Sequence, residues 1–306
     1  MKTPVGVVLM AYGTPRSKDE ILPYYTDIRR GRPPTEEQLG DLIRRYEAIG
    51  GLSPLAKITD AQRDSLQTAL DATHPGAFAV RLGLKHAAPM IEEATQQLID
   101  DGVESIVGVV LAPHYSSYSI GQYLGRVKAV AEPAGVKVSG VDTWATEPAF
   151  VEFLTTDLRS KLENANGKTK VFFTAHSLPQ RIIDGGDPYV SELRSTAEVV
   201  ASNLGLREGA DWDIAWQSAG RTPEPWLGPD ILQVIDEVAA QGAYQSVIVS
   251  ACGFVADHLE VLYDLDIEAL NHATSKGLGF SRTACVNTDS NVMNALAARV
   301  TQLAGI

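Results

Sequence analysis

The chain has 306 residues, 44% hydrophobic and 21% charged, the balance of a globular protein with a substantial core. A formal net charge of -12 leaves no basic excess to displace phosphate counterions, which argues against nonspecific nucleic-acid binding. No apolar run approaches the roughly 20 residues needed to cross a bilayer, and two cysteines, Cys252 and Cys285, suggest neither a disulfide framework nor a zinc knuckle.

The first predicted strand, Val5 to Met10, continues into the loop Ala11-Tyr12-Gly13-Thr14-Pro15. This reads as a buried strand and its exit rather than a cleaved signal peptide, in a protein of the reducing cytoplasm. Gly13 permits close backbone approach, but the loop lacks the Gly-x-Gly-x-x-Gly of a dinucleotide fold, and no Walker sequence occurs. Arginines follow at Arg29-Arg30-Gly31-Arg32 and Arg44-Arg45-Tyr46, close to Ser53. They either receive carboxylates through charge-assisted bonds or form a solvated helix surface. Helices are predicted at Thr35 to Ile49 and Ile58 to Thr73, then a strand at Ala77 to Leu82 and a helix at Met90 to Asp101. Strands at Ser105 to Leu111, Lys137 to Val141, Lys170 to Thr174, Asp213 to Trp216 and Ser246 to Ala251 alternate with further helices. Those run from Ile120 to Ala134, Ala149 to Asn164, Tyr189 to Asn203, Pro229 to Gln241 and Ser290 to Leu303.

Strands apolar throughout and separated by helices indicate parallel sheets covered on both faces. The class is α/β, with two three-layer units. The expected division is 1–112 with 290–306, the final helix packing back on the first unit, and 113–289.

Open parallel sheets bind ligands outside the carboxyl ends of their strands. Four of the six histidines fall there: His86, His114, His176 and His258 each follow a predicted strand, whereas His74 and His272 do not. In Thr174-Ala175-His176-Ser177-Leu178-Pro179 a hydrolase reading would need a Gly-x-Ser-x-Gly elbow, which is missing, so His176 is a base or a metal ligand. After the last predicted strand, Glu260, Asp264 and Glu268 recur every four residues. On a helix they form one stripe, either a solvated acidic face or a path for a cation.

In order along nearly the whole chain, several segments resemble the ferrochelatases, which insert ferrous iron into a porphyrin. They are Met10-Ala11-Tyr12-Gly13-Thr14, Tyr24-Tyr25-Thr26-Asp27-Ile28-Arg29-Arg30-Gly31-Arg32, Arg45 to Leu55, Gly83-Leu84-Lys85-His86, Leu111-Ala112-Pro113-His114, Ala175 to Pro179, Pro225 to Asp230 and Gly253 to Glu268. The spelling is closest to the soluble bacterial type that acts on coproporphyrin III and yields coproheme.

The resemblance implies two Rossmann-like domains with a porphyrin cleft between them. It implies His176 and Glu260 as the catalytic pair at the insertion centre, and Tyr12 as a ligand to the iron of the bound product. It implies Asp264 and Glu268 as an acidic line on a helix containing a π-turn. Tyr12, Arg29, Arg45, Tyr46, Ser53, His86 and Tyr123 match positions that hold the macrocycle and its propionates. Iron is then a substrate and no cofactor is bound permanently. Two cysteines cannot hold the four-thiolate iron–sulfur cluster of some members. A soluble monomer with no membrane span is expected, handing its product transiently to a coproheme decarboxylase. Protoporphyrin IX ferrochelatase, cobalt chelatase and a porphyrin carrier without insertion activity are the alternatives.

Overall fold

The run Val5–Ala11 places Val7, Val8, Leu9 and Met10 out of contact with water, so this strand is covered on both faces. That is the signature of a central strand in a parallel sheet flanked by helices. A computed structural model describes residues 3–220 and 222–306. Among them, β1 (Val5–Ala11), β2 (Phe78–Leu84), β3 (Ser105–Val110) and β4 (Lys137–Val141) pair in parallel in the order β2-β1-β3-β4, with Val7 opposite both Val80 and Val107. A second parallel sheet has β5 (Thr169–His176), β6 (Trp212–Gln217), β7 (Ser246–Ser250) and β8 (Gly279–Arg282) in the order β6-β5-β7-β8. The topology is the same in both. The chain winds from the first strand to one side and then crosses to the other, so β1/β3 and β5/β7 are the switch points outside which ligands bind.

The helices are α1 (Ile21–Ile28), α2 (Glu36–Ala48), α3 (Leu55–Thr73), α4 (Ile91–Asp100), α5 (Ile120–Ala131), α6 (Pro148–Glu163), α7 (Gln180–Asp184), α8 (Tyr189–Asn203), α9 (Ile231–Gln241), α10 (Leu259–Leu262), α11 (Leu270–Ser275) and α12 (Ser290–Ala304). Side-chain caps set the starts of α2, α9 and α12. Before α2, the Thr35 hydroxyl accepts from the Gln38 amide and the Gln38 side chain accepts from the Thr35 amide, a reciprocal cap. In the first unit α3 and α12 cover one face of the sheet, while α4 and α5 cover the other. In the second, α6 and α8 lie on one face, and α9 and α11 on the other.

The chain divides into one unit of residues 1–112, 117–143 and 287–306 and another of 113–116 and 144–286. This differs from the expected boundary in the segment 117–143 and at residues 287–289. β4 bonds to β3, with Ile106 opposite Val138, and that pairing ties the segment to the first sheet. Sequence reading also passed over α1, α7 and β8. The last is a four-residue edge strand, Gly-Phe-Ser-Arg, with no continuous apolar run.

Between α10 and α11 the chain makes a π-turn, Asp264–Ala269, in which the Glu268 amide donates to the Tyr263 carbonyl at 2.9 Å. Here Val261, Leu265, Ala269 and Ala273 recur every four residues, and all four are fully buried in the core that also holds Val234, Val238, Val247 and Val249. Four α-helical residues overshoot a turn by about 40°, so a repeat of four would rotate off the sheet. An i→i+5 turn falls short of a full turn over four residues and reverses that drift. The π-turn thus keeps the apolar stripe on the sheet, and keeps the acidic stripe, one position earlier, along its edge. Full burial of Val261 and Leu265 contributes about 1.5–3 kcal/mol each toward this packing.

Candidate active site

In the second unit, His176 ends β5. Its Nδ1 lies 2.5 Å from the Ser177 carbonyl, which can only accept, so Nδ1 carries the hydrogen. Nε2 is then the basic nitrogen of the neutral ring, and it faces Glu260 Oε1 at 3.7 Å. That is too long for a direct hydrogen bond. The two side chains are 37% and 38% exposed, open enough to meet a ligand. The His176 carbonyl accepts from the Tyr189 hydroxyl at 3.1 Å, which pins the strand end. Ser177 donates its hydroxyl to the Leu227 carbonyl at 2.8 Å, so its proton is committed to structure, as the missing nucleophile elbow suggested.

Glu260 reaches His176 because the loop after β7 lies directly on the end of β5. The Gly253 amide donates to the Thr174 carbonyl at 2.9 Å, and a Cβ on Gly253 would sit 2.3 Å from Ala175 Cβ. Only glycine allows that approach. Glu260 also faces His258, whose Nε2 is 3.6 Å from Oε2 and whose Nδ1 donates to the Ala256 carbonyl at 2.9 Å. Burial works to lower the His258 pKa, but Glu260, the Ala256 carbonyl and Asp264 more than offset it, and the net shift is upward. One carboxylate therefore stands between two imidazoles, each presenting Nε2.

Along the acidic stripe, Asp264 is only 7% exposed and accepts from the Ser218 hydroxyl at 2.6 Å. Ser218 holds the left-handed backbone conformation (φ 56°), which costs a non-glycine residue about 1–3 kcal/mol. Glu268 is exposed. Among the described residues no group of three or more His, Cys, Asp or Glu closes into a set that could hold a metal ion. The described residues therefore hold nothing like the closed four-ligand cage of a structural metal.

In the first unit, Tyr12 follows β1 and is 44% exposed, its ring 4.6 Å from that of His86. Gly13, at φ 92°, makes the turn that seats this loop, and the Tyr24 hydroxyl donates to its carbonyl at 3.1 Å. His86 donates its amide to the Tyr12 carbonyl and its Nδ1 hydrogen to Asp27 Oδ2 at 2.6 Å, leaving Nε2 as an acceptor. Burial holds the His86 imidazole below its ordinary value, more than offsetting Asp27, with Lys85 acting in the same sense. Arg29 donates from Nε to the Arg32 carbonyl and lies over the Tyr25 ring at 5.7 Å. Arg45 sits 3.5 Å from Asp41. Tyr46, Ser53 and Tyr123 are buried. The Tyr46 hydroxyl is 3.4 Å from Thr14 Oγ1, and Ser53 Oγ accepts from the Leu55 amide.

The sequence singles out His258 only as a strand-end histidine and Lys85 only within Gly83-Leu84-Lys85-His86, and it gives no signal for Ser218; Lys85 lies 5.2 Å from the Tyr123 ring and bonds Gln122. Conversely, His114 is 2% exposed and packs against Tyr189. The Thr196 hydroxyl gives its hydrogen to the Ala145 carbonyl at 2.7 Å, so His114 Nε2 must donate to Thr196 at 2.9 Å. Burial pushes its pKa down to about 3, and the ring is a neutral structural group. Its contribution is present above about pH 6.5, where the unfolded chain's imidazole is also neutral, and is lost as pH falls toward the folded value, at about 1.4 kcal/mol per unit. A His114→Gln variant is therefore expected to lose less stability than the parent between about pH 6.5 and 4.5, by about 2 kcal/mol, in urea unfolding. Equal losses would contradict this assignment.

With this geometry in view, the family model described as Ferrochelatase matches residues 4–304. The chain belongs to the ferrochelatase family. The coproporphyrin III ferrochelatase of Halalkalibacterium halodurans is 43% identical over 300 residues, spanning 97% of this chain and 96% of that protein. The protein of the same name from Geobacillus kaustophilus is 43% identical over 306 residues, spanning 98% and 96%. The sirohydrochlorin chelatase SirB from Bacillus subtilis subspecies spizizenii, solved in complex with cobalt, shares the fold at a TM-score of 0.58 and 11% identity, covering 99% of this chain and 96% of that one. In this ferrochelatase-family chain, the first strand of each sheet ends at a candidate site residue: Tyr12 follows β1 and His176 closes β5.

Proposed function

We propose that this chain inserts ferrous iron into coproporphyrin III, giving Fe-coproporphyrin III (coproheme) in heme biosynthesis, as a lyase forming nitrogen–metal bonds. The observation that carries the reading is the His176–Glu260 pair outside the β5/β7 switch point of a ferrochelatase-family chain. Metallation must remove two pyrrole protons while the ion sheds water. His176 Nε2, the acceptor of the ring whose Nδ1–H bonds the Ser177 carbonyl, takes a proton from the ring of the porphyrin. Glu260 stabilises the imidazolium so formed and takes the second pyrrole proton, with His258 beside it as a further acceptor. Asp264 and Glu268 are hard oxygen donors that pass ferrous iron toward Glu260 without the grip of thiolates. Tyr12 meets the iron of the product, while Arg29, Arg45, Tyr46, Ser53, His86 and Tyr123 hold the macrocycle and its propionates.

The same reading gives a cytoplasmic monomer with no resident cofactor that releases coproheme to a decarboxylase. Two buried cysteines, where a cluster needs four, support the lack of a cluster. No helix among the described residues is long and apolar enough to cross a membrane.

Coproporphyrin carries four propionates to protoporphyrin's two, and each added charge-assisted bond is worth about 1.5–3 kcal/mol. The kcat/KM for coproporphyrin III, measured anaerobically with ferrous iron, is expected to exceed that for protoporphyrin IX at least about tenfold. A preference for protoporphyrin would overturn the substrate; no acceleration with either would overturn the activity.

A further inference from the structure

Asp257, Glu260, Asp264, Asp266 and Glu268 crowd five carboxylates into one short stretch, an arrangement that mutual repulsion disfavours. Arg282, the last residue of β8, meets two of them. Its Nε donates to Asp266 Oδ1 at 2.7 Å and one terminal nitrogen to Oδ2 at 2.8 Å, a side-on fork. The same nitrogen donates to Asp257 Oδ1 at 3.0 Å, and the other terminal nitrogen donates to the Thr283 carbonyl at 3.1 Å. The side chain is only 14% exposed. Its base is rigid, because Arg282 pairs with Val249 across the β7–β8 ladder and the Thr283 amide donates to the Val249 carbonyl at 2.9 Å.

The partners are sorted. Arg282 binds Asp266, inside the π-turn, and Asp257, just ahead of α10, both off the stripe. On the stripe, Glu260 faces His176 and His258, and Asp264 accepts from Ser218. A π-turn carries one residue more than the α-helix around it, so beyond the burial of its apolar stripe it gains from an anchor outside the helix.

We infer that Arg282 is a positioning residue for iron delivery: clamping Asp266 and Asp257 to the end of β8, it fixes the π-turn and so the direction in which Glu260, Asp264 and Glu268 point. The inference rests on the proposed role of that stripe as the approach for iron.

Charge alone and positioning predict opposite signs. Removing a cation beside an anionic path should draw ferrous iron more strongly and lower its KM, whereas losing the clamp should disorder the path and raise it. In anaerobic steady-state assays with ferrous iron and coproporphyrin III, Arg282→Gln is expected to raise KM for iron at least about fivefold, with KM for porphyrin changed less than about twofold. Arg282→Lys keeps the charge but not the planar fork, and is expected to raise KM for iron by a smaller factor. If the glutamine variant does not fold, the lysine variant carries the test. Glu268→Gln is measured alongside. If it raises KM for iron while the Arg282 variants leave it unchanged or lower it, the positioning role is overturned and the approach stands. If Glu268→Gln has no effect, the approach itself falls, and the inference with it. A parallel rise in both KM values would mark general loss of structure and also overturn it.

Discussion

Replacing His176 by alanine is expected to lower kcat for iron insertion by about 10²- to 10⁴-fold, the usual worth of a positioned general base. Affinity for coproporphyrin, followed by fluorescence quenching, should change far less. The expectation follows from the tautomer. With Nδ1–H bound to the Ser177 carbonyl and the strand end held by Tyr189, the ring presents Nε2 to the same space as the Glu260 carboxylate. Alanine removes that acceptor without touching the first-unit residues assigned to the macrocycle. Near parental turnover would remove His176 from the chemistry, and an equal loss of porphyrin binding would make it a binding residue instead.

Glu260→Gln is expected to lower kcat by at least about 10²-fold, because an isosteric neutral amide can neither stabilise an imidazolium nor accept a pyrrole proton. It carries a second, independent signature in stability. Glu260 is the leading upward influence on His258, whose folded pKa lies above its ordinary value despite burial. A raised histidine pKa stabilises the fold fully below the unfolded value near 6.5, and that contribution is lost as pH rises through the folded value. The parent should therefore exceed Glu260→Gln in melting temperature by more at about pH 6 than at about pH 8.5. A gap that is constant or widens with pH would show that Glu260 does not govern His258. Unchanged kcat would remove Glu260 from the insertion centre.

Much of the scaffold is legible because most of its strands are continuous apolar runs separated by helical stretches. Val5–Ala11 and Ser246–Ser250 announce themselves by burial on both faces. β8 does not, because an edge strand needs fewer apolar residues, and nothing within β4 tells which sheet it joins, because that choice is set by packing rather than by local pattern. The strand-end rule picked out His86, His114, His176 and His258 together, yet only structure separates the buried, neutral His114 from the open His176. Similarly, Glu260, Asp264 and Glu268 were visible as a four-residue repeat, but the reason for that period lies in Val261, Leu265, Ala269 and Ala273 beside them and in the π-turn that holds both stripes in line. Ser218 and Arg282 matter only through partners distant in sequence, which no motif could reveal.

The most direct test of the His176–Glu260 centre is anaerobic single-turnover metallation: protein preloaded with coproporphyrin III, ferrous iron added, and the metalloporphyrin spectrum followed for the parent, His176→Ala, Glu260→Gln and the double variant. If the two side chains act as one unit, the parent outpaces both single variants by at least about 10²-fold, and the double variant is scarcely slower than either. Additive losses, or a parent no faster than iron and porphyrin in buffer, would contradict the account.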